Sequence, residues 1–287
     1  MITAVIPVYD QPDCFDRCIS SLEPSVRAGR AGAVVINNGS REKKTRDLLR
    51  SCSRWARVIE MGENTGFVRA TNAGLRTIGS GHALWLNSDC ILPSNWIDRT
   101  ESFIAAHPEA GAFGPRSNNG SWAGGGAFNQ VVEYGGTDSQ ADINAFSASM
   151  PDDPSRFAVV DDRGIWGFCM VVPERARRIV GLIDERFIMG GCDDFDYCAR
   201  VIEAGMRVMV ADTFFAWHYG SKTIASVPGF HEKSRGNYRV YESNRRRARS
   251  AGGPRSRGRQ LPPSKGHGRV KNLLDYEKPV KIRQKLR

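Results

Sequence analysis

Between Gly181 and Arg200 the run GLIDERFIMGGCDDFDYCAR gathers Asp193, Asp194 and Asp196 within four positions, just behind a glycine pair. Carboxylates this close raise one another's proton affinity, so the group suits proton transfer, a cationic partner or a metal ion. The same residues would serve a helix start, with Gly190 and Gly191 forming the turn and the acids favouring the helix dipole. Both uses are compatible. From Asp193 onward the spacing predicts Phe195, Cys198, Ala199 and Ile202 on one buried helical face, with the acidic turn at the mouth of a cleft.

Two further positions could complete such a centre. HALWLNSDC, residues 82–90, is an apolar run that breaks at Asn87-Ser88-Asp89. As a buried strand it would deliver Asp89 to the carboxyl edge of a sheet, where open α/β sheets bind ligands. Ser94 is the better cap for the helix that follows, which leaves Asp89 without a structural duty. His218 closes another strand-like run and, on spacing alone, reads as structural. If Asp89, the acid cluster and His218 share one cleft, they could hold a divalent cation beside a general base. Carboxylate oxygens suit Mg²⁺ or Mn²⁺, and a histidine tilts the choice toward Mn²⁺. A carboxylate with a raised pKa could deprotonate an attacking hydroxyl. A zinc site from Cys192, Cys198 and His218 lacks the usual ligand-pair spacing.

The elements that must position these residues follow a strand–helix alternation. ITAVIPV (residues 2–8) and AVVIN (33–37) are continuous apolar runs typical of buried parallel strands, with a helix carrying Phe15, Cys18, Ile19 and Leu22 between them. A polar helix, a short strand RVIEM and a loop entering a helix over residues 64–78 continue the pattern. Asn64, Gly66, Arg69 and Asn72 lie near the start of that helix, whose N-terminus could hold an anion. A βαβ repetition favours a parallel sheet with right-handed crossovers. Residues 115–163 lose this periodicity and carry scattered aromatics, Trp122, Phe128, Tyr134 and Phe146, which marks an acceptor-binding loop.

The chain has 287 residues and a net charge of +10, unevenly placed. Residues 1–230 carry 23 Lys and Arg against 27 Asp and Glu, whereas residues 231–287 carry 18 against 4. An acidic body with a basic, flexible tail rich in Arg, Gly, Ser and Pro suggests contact with nucleic acid, an anionic membrane surface or phosphate-rich substrates. No apolar run has the length of a membrane span and no secretory leader is legible, which predicts a cytoplasmic protein. Seven cysteines without a Cys-x-x-Cys pair fit reduced core thiols.

In order, VIPVYD, INNGS, NTGFVRATNAGL, LNSDC, GFCMVV, DERFIMGGCDDFDYCARVIEAGMRV and WHYGSKT resemble the inverting family 2 glycosyltransferases. The resemblance spans residues 2–223 and implies a GT-A fold, a Rossmann-like, open, mostly parallel α/β sheet flanked by helices. It implies a nucleotide-binding half over 1–114, an acceptor and catalytic half over 115–230, and the basic tail beyond. By resemblance, Pro7, Val8, Tyr9 and Asn38 would hold nucleobase and ribose of a nucleotide-diphosphate sugar. Asp89 and His218 would be metal ligands, Asp194 the catalytic base, and Asp193 would face the acceptor. The family's aspartate in the second-strand turn is Asn37 here, and its Asp-x-Asp motif keeps only the second aspartate, Asn87 standing in the first place. Asparagine donates as well as accepts, so Asn37 leaves the donor's base open. The acceptor would be a cell-surface glycan or a lipid-linked saccharide. A hydroxylated DNA base reached through the tail is the alternative, and a non-catalytic nucleotide-sugar-binding scaffold a further one.

Overall fold

A computed structural model describes residues 1–119, 130–160, 164–220 and 230–250. The basic tail beyond Ser250, Trp122 and Phe128 lie outside the described residues. The body is built on an eight-stranded sheet of order β3-β2-β1-β4-β8-β6-β9-β7, formed by β1 (Ile2–Val8), β2 (Ala31–Asn37), β3 (Arg57–Glu60), β4 (His82–Leu86), β6 (Ala110–Arg116), β7 (Phe157–Val159), β8 (Cys169–Val172) and β9 (Arg207–Phe215). β1 pairs in parallel with β2 and β4, and β2 with β3, as the βαβ pattern predicts. β8 runs antiparallel to both β4 and β6, so the sheet is mostly parallel with one reversed strand at its middle and β7 reversed at its edge. A short second ladder joins β5 (Cys90–Ile91) to β10 (Trp217–His218), pairing His218 with Cys90.

Both faces of the sheet are covered, which is why β1 and β8 read as unbroken apolar runs. Ile2, Ala4, Ile6 and Val8 pack under α1 (Pro12–Arg27), through Phe15, Cys18 and Leu22, and α2 (Lys43–Cys52) adds Leu49 and Cys52 to that side. Val5, Trp85, Met170 and Val172 face the other way, toward α3 (Phe67–Leu75), α6 (Glu174–Val180) and α7 (Asp193–Glu203). Burying side chains of this size contributes about 1.5–3 kcal/mol each. All seven cysteines are free thiols.

Three elements differ from the expectations drawn from sequence. The segment expected to be an aperiodic loop contains α5 (Gln140–Ser149), capped by the Ser139 hydroxyl accepting from the Asp142 amide. It buries only Ile143 and Ser147, so it shows no apolar stripe. α4 (Trp96–Ala106) starts after Asn95 rather than Ser94, whose amide instead donates to Asn144. The first part of the segment expected to be a basic, partly disordered tail forms α8 (Phe230–Ser250), a helix of 21 residues. Its docking stripe is Asn237, Val240, Tyr241, Asn244 and Arg245, a helical spacing written largely in polar residues and therefore invisible to hydropathy. Among the described residues, no helix is long and apolar enough to cross a membrane.

Candidate active site

The carboxyl ends of the central strands carry two polar centres. At the first, Asp89 follows β4 and is 4 % exposed, while His218 on β10 is 6 % exposed. The antiparallel β5–β10 ladder, continued by the Tyr219 amide donating to the Asp89 carbonyl (3.0 Å), sets the two side chains face to face. His218 Nε2 lies 3.3 Å from Asp89 Oδ1, at ion-pair distance but out of hydrogen-bond alignment, so this buried nitrogen has no hydrogen-bond partner. The opposite nitrogen, Nδ1, sits 3.2 Å from the Asn119 carbonyl. A carbonyl only accepts, so Nδ1 carries a proton toward it, which turns Nε2 to the carboxylate. The imidazole is further fixed by stacking on Phe168, with centroids 4.5 Å apart and planes 9° from parallel. Asn87 Oδ1 is a second buried acceptor without a partner.

A buried carboxylate facing an imidazole nitrogen, with the orphaned Asn87 oxygen two residues before Asp89, fits a hard divalent cation, and Asp89 and His218 are the residues that would hold it. Cys90 lies within the same cluster. Its thiol donates to the Phe168 carbonyl (3.4 Å), and burial pushes its pKa well above the ordinary range. Cys198 points away toward Met170, with 4.0 Å between the sulfurs, and no cluster with Cys192 and His218 forms among the described residues.

The second centre is the start of α7, and here the structure corrects the expected helical face. The buried face comprises Asp193, Asp194, Asp196, Tyr197, Cys198 and Val201, one position round from the stripe that spacing predicts. The acids are therefore inside the molecule. Tyr197 explains the rotation, since its ring packs edge-on against Trp85 at 4.6 Å and takes the place that spacing assigned to Phe195. Asp194 Oδ2 accepts from the Gly167 amide and Oδ1 from the Phe195 amide, both at 2.9 Å. Asp193 Oδ1 accepts from the Gly191 amide at 2.5 Å. Burial, reinforced by the charge of Asp194, pushes the Asp193 carboxyl up; burial also pushes Asp194 up, against the pull of its two amide donors. Asp196 is engaged elsewhere, pairing with Arg200 (2.9 Å) and accepting from Asn244 (2.8 Å).

Two consecutive residues, Gly167 and Phe168, which open the GFCMVV run and have no role of their own legible in the sequence, join the centres. The Gly167 amide holds Asp194, while Phe168 stacks on His218 and its carbonyl accepts from the Asn87 amide at 2.7 Å. The strand that follows begins only at Cys169, so the backbone of residues 164–168 is free to turn its amides to the acids. Asn118 is likewise silent in the sequence, and its side chain bonds both the His218 amide (2.8 Å) and the His218 carbonyl (3.1 Å).

The expected donor-binding residues divide into two groups. Pro7, Val8 and Tyr9 stand at the carboxyl end of β1, with Pro7 and Val8 buried and Tyr9 partly exposed. Asn37 follows on β2, its amide donating to Glu60 (2.6 Å) and its oxygen accepting from the Ser40 amide (2.9 Å). Asn38 and Asn64 bond each other (3.1 Å) and the amides of Thr65 and Gly66, shaping the entry to α3. Asn72 is fully buried and bonds both backbone groups of Ile183 (2.8 and 3.0 Å), which makes it a clamp on the loop ahead of the acids. Arg69 is half-exposed, 3.9 Å from Glu185. At Gly66, φ is +90°, and a Cβ would lie 2.0 Å from the Ile188 carbonyl oxygen, so only glycine allows α3 to approach that loop.

An open, mostly parallel sheet with one reversed central strand and helices on both faces is a GT-A type fold. Residues 3–130 match the family model described as Glycosyl transferase family 2. No curated protein matches the chain. Among solved structures, GalNAc-T7 with UDP, GalNAc and Mn²⁺ aligns at 13% identity and a TM-score of 0.57, covering 76% of this chain and 43% of that one. S. aureus TarS 1-349 aligns at 12% identity and a TM-score of 0.54, covering 78% and 62%. The same protein has also been crystallised in complex with UDP. This chain thus spans less than two thirds of the length of these structural neighbours.

Proposed function

We propose that this protein transfers a sugar from a nucleotide-diphosphate sugar to an acceptor hydroxyl in one displacement, with inversion at the anomeric carbon. Asp194 is the general base. Its raised proton affinity suits it to take the hydroxyl proton as the acceptor oxygen bonds to the anomeric carbon from one side. The bond to the phosphate oxygen breaks on the other side, and its electron pair leaves with the nucleotide diphosphate. Asp193 faces the acceptor. Pro7, Val8, Tyr9, Asn37 and Asn38 line the place for nucleobase and ribose; Asn64, Gly66, Arg69 and Asn72 form and support the wall around the diphosphate. Asp89 and His218, with Asn87 beside them, would hold Mn²⁺ or Mg²⁺, which when bound would neutralise charge on the departing diphosphate.

The observation that carries this reading is the Gly167–Phe168 link, which fixes a buried carboxylate base and a cation-ready Asp–His pair to the same two residues. The ligands bound in the structural neighbours, UDP in both and Mn²⁺ in one, favour a uridine diphosphate donor. The acceptor is a glycan or lipid-linked saccharide hydroxyl. A hydroxylated DNA base is the second reading, favoured by the exposed Arg239, Arg246 and Arg247 on α8 and by the basic residues that follow it. Asp194→Asn is expected to lower transfer at least about a thousandfold while nucleotide affinity stays within about twofold. Transfer at the wild-type rate would remove Asp194 from the role of base.

A further inference from the structure

The peptide group between Gly190 and Gly191 is held from both sides. Its N–H donates to Asp193 Oδ1 at 2.5 Å. Its carbonyl accepts from the side-chain amide of Asn237, on α8, at 2.8 Å. Asn237 is 3 % exposed, an unusual burial for a polar residue on a helix whose outer face is strongly basic. The turn it reaches is conformationally costly: Gly190, Gly191 and Cys192 have φ of +90°, +96° and +66°, and Cys192 is a non-glycine residue in the left-handed region. A turn of this kind persists only where its surroundings hold it.

The same helix grips the rest of the loop. Asn244 donates to Asp184 at 3.2 Å and to Asp196 at 2.8 Å, bracketing the acid pair on both sides in sequence. Arg245 pairs with Glu203 at 2.6 Å at the far end of α7. On the opposite side the loop is fixed by α3, through Asn72 and the close approach at Gly66.

We infer that Asn237 is a positioning residue for the acid pair: through the Gly190–Gly191 peptide it sets the orientation of Asp193 and of the first turn of α7, which carries Asp194. A carbonyl that accepts a hydrogen bond polarises its peptide and strengthens the N–H bond on the other side, so Asn237 acts on Asp193 without touching it. α8 then belongs to the catalytic apparatus, although it lies outside the matched family segment, residues 3–130. The kinetic consequence rests on the transferase reading; the structural consequence rests on the fold alone.

The test is Asn237→Ala in the full chain, read by hydrogen exchange and by kinetics with UDP-sugar donors. Exchange protection is expected to fall in residues 187–196 while β1 and β4 stay protected, and kcat to fall about tenfold or more at unchanged donor KM. Asn237→Asp, which keeps the size but replaces the donor by an acceptor, is expected to do the same or worse. Unchanged protection in 187–196 would overturn the inference. So would a kcat loss that disappears well below the melting temperature, because it would then reflect global stability. If the wild-type protein transfers no sugar from any nucleotide donor, the transferase function is at fault, and the exchange result still decides whether Asn237 holds the turn.

Discussion

Asp193 and Asp194 show how burial creates a base at a cost in stability. Burial is the main cause of both raised pKa values, with the charge of Asp194 adding to that of Asp193, so the folded protein binds protons that the unfolded chain has released. The sign follows from linkage. Stability from this source is fully present below the ordinary carboxylate pKa of 3.8 and is lost as pH rises through the raised folded values. Asp193→Asn keeps an oxygen for the Gly191 amide and removes the charge. It is expected to stabilise the protein on the order of 1–3 kcal/mol at about pH 8, with the gain shrinking toward about pH 4. Urea unfolding at the two pH values measures this; a gain independent of pH would mean that the buried charge carries no such penalty. Transfer should show the complementary dependence, rising from acid toward neutral pH as the base loses its proton.

At the scale of elements, the loop from Ile183 to Cys192 is held between α3 and α8, and the α3 side depends on one missing side chain. Gly66→Ala places a Cβ against the Ile188 carbonyl and forces an alanine into a conformation that suits glycine. We expect a loss of at least about 2 kcal/mol, read as a lower urea midpoint at constant slope. A change within about 0.5 kcal/mol would show that the loop yields freely. This scale also explains what the sequence made legible. β1, β2 and β4 are continuous apolar runs that end in turn residues, so the strand ends, and Asp89 with them, could be placed by hydropathy alone. The acid cluster stands out by its crowding of charge. Gly167 and Phe168 contribute a backbone amide, a carbonyl and a ring face, none of which leaves a periodic signal. α8 docks through asparagines and an arginine, so its stripe looks solvated in sequence although Asn237 is buried. Asn72 carries the right signal with a different meaning, since its polar side chain holds the Ile183 backbone.

For the whole molecule, the division of charge suggests a division of labour, with an acidic body around the site and basic residues from α8 onward. Exposed Arg239, Arg246 and Arg247 on α8 continue into a chain end that carries much of the positive charge. If this surface meets a polyanionic acceptor, affinity for duplex DNA should fall steeply with salt, and deletion after Ser250 should remove most of it. Equal retention of the truncated protein on duplex DNA would give the tail another role and favour a glycan or lipid-linked acceptor.

Everything proposed for the donor site turns on Asp89 and His218 holding a divalent cation beside bound nucleotide diphosphate. The most direct measurement is thermal unfolding with UDP, dTDP, GDP or CDP, each with and without Mn²⁺, for the wild type and for His218→Ala. Ligand at 100 times its Kd stabilises by about 2.7 kcal/mol, a readable rise of several degrees in melting temperature. We expect a rise with UDP that requires Mn²⁺ in the wild type and is lost in His218→Ala. A rise of equal size without metal, the same metal-dependent rise in His218→Ala, or no rise with any of the four nucleotides would contradict a cation held by this pair.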